Sequence, residues 1–397
     1  MKTMTIFLFT LLLLTNQAQG QTQNIQRLDG TKIPASTIDY IISGLMRNAR
    51  VTGLNLAILN NYRIVYEKSY GYKNKETGQL MDTATVLYGA SLSKAVFACL
   101  CMQLIRQGIL NLDKPLWQYL DRPLPDYDNY KDLKGDDRWK LITARMCLSH
   151  TTGFPNWRFL EARTGKFNRN GKLAIYFTPG SKYAYSGEGM ALLQMVVEKI
   201  TGKRLEELAR EKFFNPLGMS NTSYVYQPRF EHNYALGYNQ KEDPLQIRKW
   251  KDAGAAGSME TTLADYARFV QYIMTKISLH DETMEMMISP QIQIYSKYQF
   301  PTVTNETTKE NETIHLSYGL GWGLLKCDYG HAFFKEGHDD GWEHYNINFA
   351  DKGISVIIMT NSSNGESIFK ELLEKTIGDT CTPWKWERYV PYNLNQR

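Results

Sequence analysis

The sequence predicts an α/β (α+β) fold in which both ends of the chain build one layer of strands and helices and a mostly helical insert interrupts it. Three observations carry that prediction. An amphipathic helix and a hairpin open the chain, long apolar helices fill its middle, and the last third returns to mixed strands and helices. At 397 residues the chain exceeds the size at which one core usually stops growing, so two lobes or a large insertion are expected.

The elements follow in order. Residues 1–20 read as a cleaved signal peptide: Lys2 supplies a positive start, Ile6 to Leu14 an apolar run, and Ala18-Gln19-Gly20 the small residues of a cleavage site. That run is shorter than the ~20 residues of a membrane-spanning helix, and no such helix is expected after cleavage. Ile38, Ile41, Ile42, Leu45 and Met46 then recur at helical spacing, with Ser36 as the expected cap. Gly53 to Leu59 and Tyr62 to Tyr70 read as strands joined at Asn60-Asn61. Ser91 to Gln107, Gly187 to Thr201 and Leu205 to Phe214 are apolar helices, the last stopped before Pro216. Residues 120–140, rich in Asp, Lys, Pro and Tyr, read as a long surface loop. Thr262 to Ile273 is helical, capped by Thr261 or Thr262. Gly319 to Leu325, Tyr345 to Phe349 and Ile354 to Met359 are strands, and Ile368 to Ile377 is a closing helix. The organisation expected is a first part of the α/β lobe over 21–88, a mostly helical lobe over 89–250, and the rest of the α/β lobe over 251–397.

Composition narrows the class. Apolar content of 43% and charged content of 22% are those of an ordinary globular protein. The formal charge of +5 is scattered along the chain, which argues against nucleic acid or a membrane surface as partner. Five cysteines make no disulfide framework. Cys99, Cys101 and Cys147 read as small buried hydrophobes, and Cys327 with Cys381 is the one candidate bridge. The sequons at Asn305 and Asn311 matter only in a eukaryotic host.

Three segments carry chemistry. In Gly89-Ala90-Ser91-Leu92-Ser93-Lys94 a serine opens a helix, near unpaired N–H groups, and a lysine three residues on shares its face. That lysine can stabilise an alkoxide, or take its proton if burial depresses its own pKa. Ser-x-x-Lys alone is common, and a capped surface helix explains it equally. In Lys182-Tyr183-Ala184-Tyr185-Ser186-Gly187 a phenol between two ammonium groups would have a lowered pKa and could act as a general base. Among 25 tyrosines, Tyr185 by itself proves nothing. Lys335-Glu336-Gly337-His338 ends an apolar strand with a glycine that lets a substrate approach the backbone.

In this order the three segments resemble the serine β-lactamase and penicillin-binding-protein superfamily, particularly its class C-like members with esterase, carboxypeptidase and aminopeptidase relatives. Leu148-Ser149-His150-Thr151-Thr152-Gly153, Asn215-Pro216-Leu217-Gly218-Met219 and Tyr318-Gly319-Leu320-Gly321-Trp322 extend the likeness over roughly residues 35 to 365. The resemblance implies a two-lobed β-lactamase-like fold, an antiparallel sheet flanked by helices with the active site between lobes. It implies Ser91 as acylated nucleophile, Lys94 as its activator and Tyr185 as the base that later protonates the leaving group. Lys335, Gly337 and His338 would line the far side of the site. The backbone N–H groups of Ser91 and His338 would form the oxyanion hole. No metal or organic cofactor is implied; the partner is a small-molecule or peptide substrate.

Two departures bear on that substrate. Gly187 replaces an asparagine that holds the acylamino group of penicillins, and Glu336 replaces a threonine that contacts a carboxylate. If Glu336 points into the cleft, a neutral or amine-bearing substrate is favoured; on an edge strand it could equally face solvent. The alternative reading is a penicillin-binding or sensor-like protein with little turnover. Two rivals use other residues: a metal held by His338, Asp339, Asp340 and His344, and a triad built on His150.

Overall fold

The structure is a computed structural model that describes residues 23–394. The expected signal peptide lies outside the described residues. Nine strands form one antiparallel sheet: β1 (Gly53–Asn60), β2 (Arg63–Asn74), β3 (Gln79–Leu80), β4 (Ile292–Gln293), β5 (Ser317–Tyr318), β6 (Gly323–Cys327), β7 (Gly330–Asp339), β8 (Trp342–Phe349) and β9 (Ile354–Thr360), in the spatial order β3-β2-β1-β9-β8-β7-β6-β5-β4. Strands from both ends of the chain therefore meet at the β1–β9 pair, where Leu56 faces Ile358 and Ile58 faces Val356. β1 is buried along its whole length. Its alternate residues feed different cores: Leu54, Leu56 and Ile58 one, Ala57 and Leu59 the other.

The first core is closed by helices α1 (Ala35–Ala49) and, at the end of the chain, Phe369–Thr376. The second is closed by the helical insert and by the helix Leu263–Ser278. Within the insert, α2 (Leu92–Arg106) is sheathed on every side, with all but three of its residues buried. That is why its apolar residues show no single stripe. α3 (Gly187–Thr201) packs nearby and is capped by Ser186, whose Oγ accepts from Gly189 N at 2.9 Å. Among the described residues no helix is long and apolar enough to cross a membrane.

Several elements depart from the sequence expectation. Pro34, not Ser36, is the cap position of α1, and no side chain caps it. Residues 319–322 make a turn between β5 and β6 rather than strand. The expected surface loop at 120–140 is wound into 3-10 turns that bury Leu124, Tyr130, Leu133 and Trp139. Four large apolar residues scattered among charges have no period, so sequence reasoning misses their burial. The helix after Leu205 is α-helical only to Ala209 and continues as a π-turn over Arg210–Phe214.

Candidate active site

Ser91 is delivered by a short two-stranded ladder, Leu87–Tyr88 against Glu260–Thr261, and by the bond from Gly89 N to Met259 O at 2.7 Å. Ala90 then takes a left-handed conformation, φ 45°, and the chain turns straight into α2. Such strain in a non-glycine residue costs on the order of 1–3 kcal/mol and has to be held by its surroundings. Ser93 holds it, donating to Ala90 O at 2.5 Å and accepting from Met259 N at 3.0 Å. Ser91 stands at the cap position of α2 but makes no capping bond, so its hydroxyl is free for other partners.

One partner is Lys94. Its side chain is buried, with Nζ 3.0 Å from Ser91 Oγ and bonded to Ala256 O. Burial, and then the nearby Lys335 charge, hold its pKa well below the usual lysine range. An uncharged amine here can donate to Ala256 O while its lone pair accepts the Ser91 proton.

Tyr185 is also buried. Lys335 Nζ donates to its hydroxyl at 3.1 Å, and the Lys94 and Lys335 amines stand 4.9 and 4.8 Å from its ring centroid. The sequence expectation was a lowered pKa. The structure gives a raised one: burial acts first and outweighs the Lys335 charge and the Ser91 hydrogen bond, which both pull it down. One of the two expected ammonium groups, Lys94, is itself biased by burial towards its uncharged form. Tyr185 is therefore a neutral phenol in the resting site, fit to relay a proton rather than to abstract one first.

Lys335 is fully buried and also bonds Glu336 Oε1 at 3.0 Å; Gln299 Nε2 donates to that oxygen at 2.7 Å. Glu336 thus points into the cleft rather than to solvent. β6 pairs with β7 only as far as Phe334, so beyond it one edge of β7, from Lys335 to Asp339, has no strand beside it. Gly337 lies against the start of α2, where a Cβ would stand 3.0 Å from Gly89 O and 3.3 Å from Leu92 Cγ. Ser91, which lies between those two residues in the chain, and His338, which follows Gly337, line the same cleft. The His338 ring stands at the rim of the cleft, its side chain 64% exposed.

Gly187 does not line the cleft as expected. It lies beneath the Asn156–Trp157 loop, where a Cβ would meet Asn156 O at 2.8 Å and Trp157 Cη2 at 2.9 Å. Asn156 forms the cleft wall instead, its Oδ1 accepting from Gly187 N at 3.1 Å. His150 is buried and neutral, its Nδ1 accepting from Ser186 N at 3.2 Å, so it fixes the turn carrying Tyr185 and forms no triad. The proposed metal group does not converge. His344 is held by Tyr88 O at 2.8 Å and Thr360 N at 3.3 Å, and Asp339 pairs with Arg248.

The cleft has a volume of about 1180 Å³, and Ser91, Tyr185 and His338 share it with Trp157, Phe159 and Phe300. Sequence reasoning missed Asn156 and three carboxyls in its wall, Glu343, Glu366 and Glu387. They come from separate segments with no common motif, and only the fold assembles them.

A family model described as Beta-lactamase matches residues 38–375. Curated relatives include Esterase EstB of Burkholderia gladioli, 25% identical over 54% of this chain and 57% of its own length. Penicillin-binding protein 4* of Bacillus subtilis (strain 168) is 23% identical over 78% of this chain and 68% of its own, and a Beta-lactamase of Pseudomonas fluorescens 24% over 72% and 73%. The chain thus spans little more than half the length of the esterase. Among solved structures, the octameric penicillin-binding protein homologue from Pyrococcus abyssi superposes with a TM-score of 0.68 at 21% identity, covering 90% of this chain and 80% of that one. D-alanine carboxypeptidase AmpC from Burkholderia cenocepacia gives 0.65 at 19%, covering 83% and 93%. At those identities the structures establish the β-lactamase-like fold alone.

Proposed function

Given that the chain belongs to the beta-lactamase family, we propose that it is an exported serine hydrolase that cleaves an ester or amide through an acyl-enzyme on Ser91. The observation that carries this reading is the buried Lys94 amine 3.0 Å from Ser91 Oγ, its pKa held well below the usual lysine range by that burial. In the proposed cycle Lys94 Nζ takes the Ser91 proton as Oγ attacks the substrate carbonyl carbon. The backbone N–H groups of Ser91 and His338 stabilise the tetrahedral oxyanion, a role that preorganised donors perform without reorganisation. The proton held on Lys94 passes through the Tyr185 hydroxyl to the departing oxygen or nitrogen, and the carbonyl reforms as the acyl-enzyme. Water then attacks it, giving its proton to the same groups, and Ser91 is regenerated as the acid leaves. Lys335 orients the phenol and holds Glu336 in the cleft. Export rests on the apolar run from Ile6 to Leu14 behind Lys2.

Glu336 in the cleft supports a neutral or amine-bearing substrate over a carboxylate-bearing one. Hydrolysis of a neutral p-nitrophenyl ester measured beside nitrocefin tests this: the ester should be the faster, and faster nitrocefin turnover would reject it. A fluorophosphonate should label wild type and not Ser91→Ala. Stable labelling by a fluorescent penicillin without any turnover of esters or amides would instead favour the binding-protein alternative.

A further inference from the structure

One wall of the cleft carries more carboxyl groups than the proposed chemistry uses. Glu336 and His338 on β7 face Tyr345 and Glu343 on β8 across the strand pair. Glu366 joins them just ahead of the closing helix, its backbone N–H bonded to Glu343 Oε2, and Glu387 joins from the segment after that helix. Glu336 has Lys335 as counter-ion. Among the described residues no lysine or arginine lies within salt-bridge distance of Glu343, Glu366 or Glu387.

Two of these groups are buried with an oxygen left unused. Glu343 is only 5% exposed, and its Oε1 accepts no hydrogen bond; His338 Nδ1 stands 3.8 Å from it. Glu387 Oε1 is likewise buried without a partner. Buried carboxylates without a cation are costly and either hold a proton or recruit a positive group. The three respond as that predicts. Burial raises Glu343 to about 8 and Glu366 to about 7, and lifts Glu387 well above the usual range.

We propose that Glu343, Glu366 and the His338 ring form a subsite for a primary ammonium group of the substrate. The inference rests on the hydrolase reading and names the substrate class. The three side chains stand close enough to converge on one ammonium nitrogen. The acceptor atoms of His338, Glu343 and Glu366 lie within 4.8 Å of one another. Three acceptors of one ammonium, each ~2.8 Å from nitrogen at tetrahedral angles, stand about 4.6 Å apart. The 3.8 Å between His338 Nδ1 and Glu343 Oε1 lies between that spacing and the ~3.4 Å that separates ligands of one zinc ion at ~2.1 Å. The His338 ring, its pKa held below the usual imidazole range, can accept when neutral. The subsite adjoins the reaction centre, since the His338 backbone is the proposed oxyanion donor. The cations Arg248 and Lys249, which also line the cleft, are paired with Asp339 and Glu231.

Two matched ester sets test this on the full chain. The p-nitrophenyl esters of β-alanine, butyric acid and succinic acid carry ammonium, methyl or carboxylate on the acyl side. The acetates of tyramine, propylphenol and hydroxyphenylpropionic acid carry the same change on the leaving side. In one set kcat/KM should favour the ammonium member over the neutral one by about tenfold or more, with the carboxylate slowest. In Glu343→Gln/Glu366→Gln that ratio should fall towards one. Equal or inverted preference in both sets of wild type, with neutral esters turned over, overturns the subsite and leaves the hydrolase reading intact. No turnover of any ester, with no labelling of Ser91, overturns the hydrolase reading itself. Zinc bound by wild type and not by the double variant, with no ammonium preference, would assign the cluster to a metal.

Discussion

Burial acts in opposite chemical directions on the two groups nearest Ser91 Oγ. It favours the uncharged form of the Lys94 amine and the protonated form of the Tyr185 phenol. A pH profile should expose this pairing. As pH falls, Lys94 gains a proton and can no longer accept one from Ser91, so kcat/KM should drop along an acid limb lying below the usual lysine range. As pH rises to about 10 no matching fall is expected from Tyr185, because its pKa is raised and not lowered. Lys335 and Glu336 face both groups and bias Lys94 in opposite senses, so Glu336→Gln should move the acid limb to lower pH. Lys94→Ala should lower kcat by about 10²–10⁴-fold and remove that limb. The identities of Ser91, Lys94, Tyr185 and Lys335 were legible, because each belongs to a short motif. The protonation states were not, since a motif gives neighbours and not burial.

Elements show where sequence patterning fails. α1 and α3 were found because apolar residues on one side mark each, and Thr262 does cap its helix, accepting from Asp265 N at 3.1 Å. The 3-10 turns at 120–140 and the β5–β6 turn were missed because their burial comes from tertiary packing and follows neither the helical nor the strand period. Gly187 teaches the same lesson at the first turn of α3. Its identity suggested a missing substrate contact, whereas the structure shows a seat for Trp157. Gly187→Asn should therefore not create a penicillin-binding amide. It should destabilise the fold by about 1–3 kcal/mol through overpacking, read as a lower midpoint in urea unfolding. An unchanged midpoint would contradict the seating of Trp157.

The whole molecule places its active site where a sheet built from both chain ends meets the helical insert, and buried acids form part of that junction. Glu260 lies in the ladder beneath Ser91, opposite Tyr88, accepts from Tyr234 at 2.5 Å, and is raised by burial to about 8. Folded protein holds this proton where the unfolded chain, titrating near 4.5, has lost it. Unfolded protein thus binds fewer protons, so the contribution of Glu260 to stability falls as pH rises from about 5 to 8 and levels off above that. Thermal melts should show the stability of wild type relative to Glu260→Gln declining across that window. A constant difference would show that Glu260 titrates alike in both states. Nothing in sequence foretold Glu260, or the carboxyl wall of the cleft, because both are made by chain segments far apart in sequence. The central claim, a covalent acyl-enzyme on Ser91, is tested most directly by intact-protein mass spectrometry of wild type quenched during turnover of p-nitrophenyl butyrate. A butyryl adduct should appear, map to Ser91 by peptide sequencing and be absent from Ser91→Ala; turnover that persists in Ser91→Ala, or an adduct on another residue, would contradict the account.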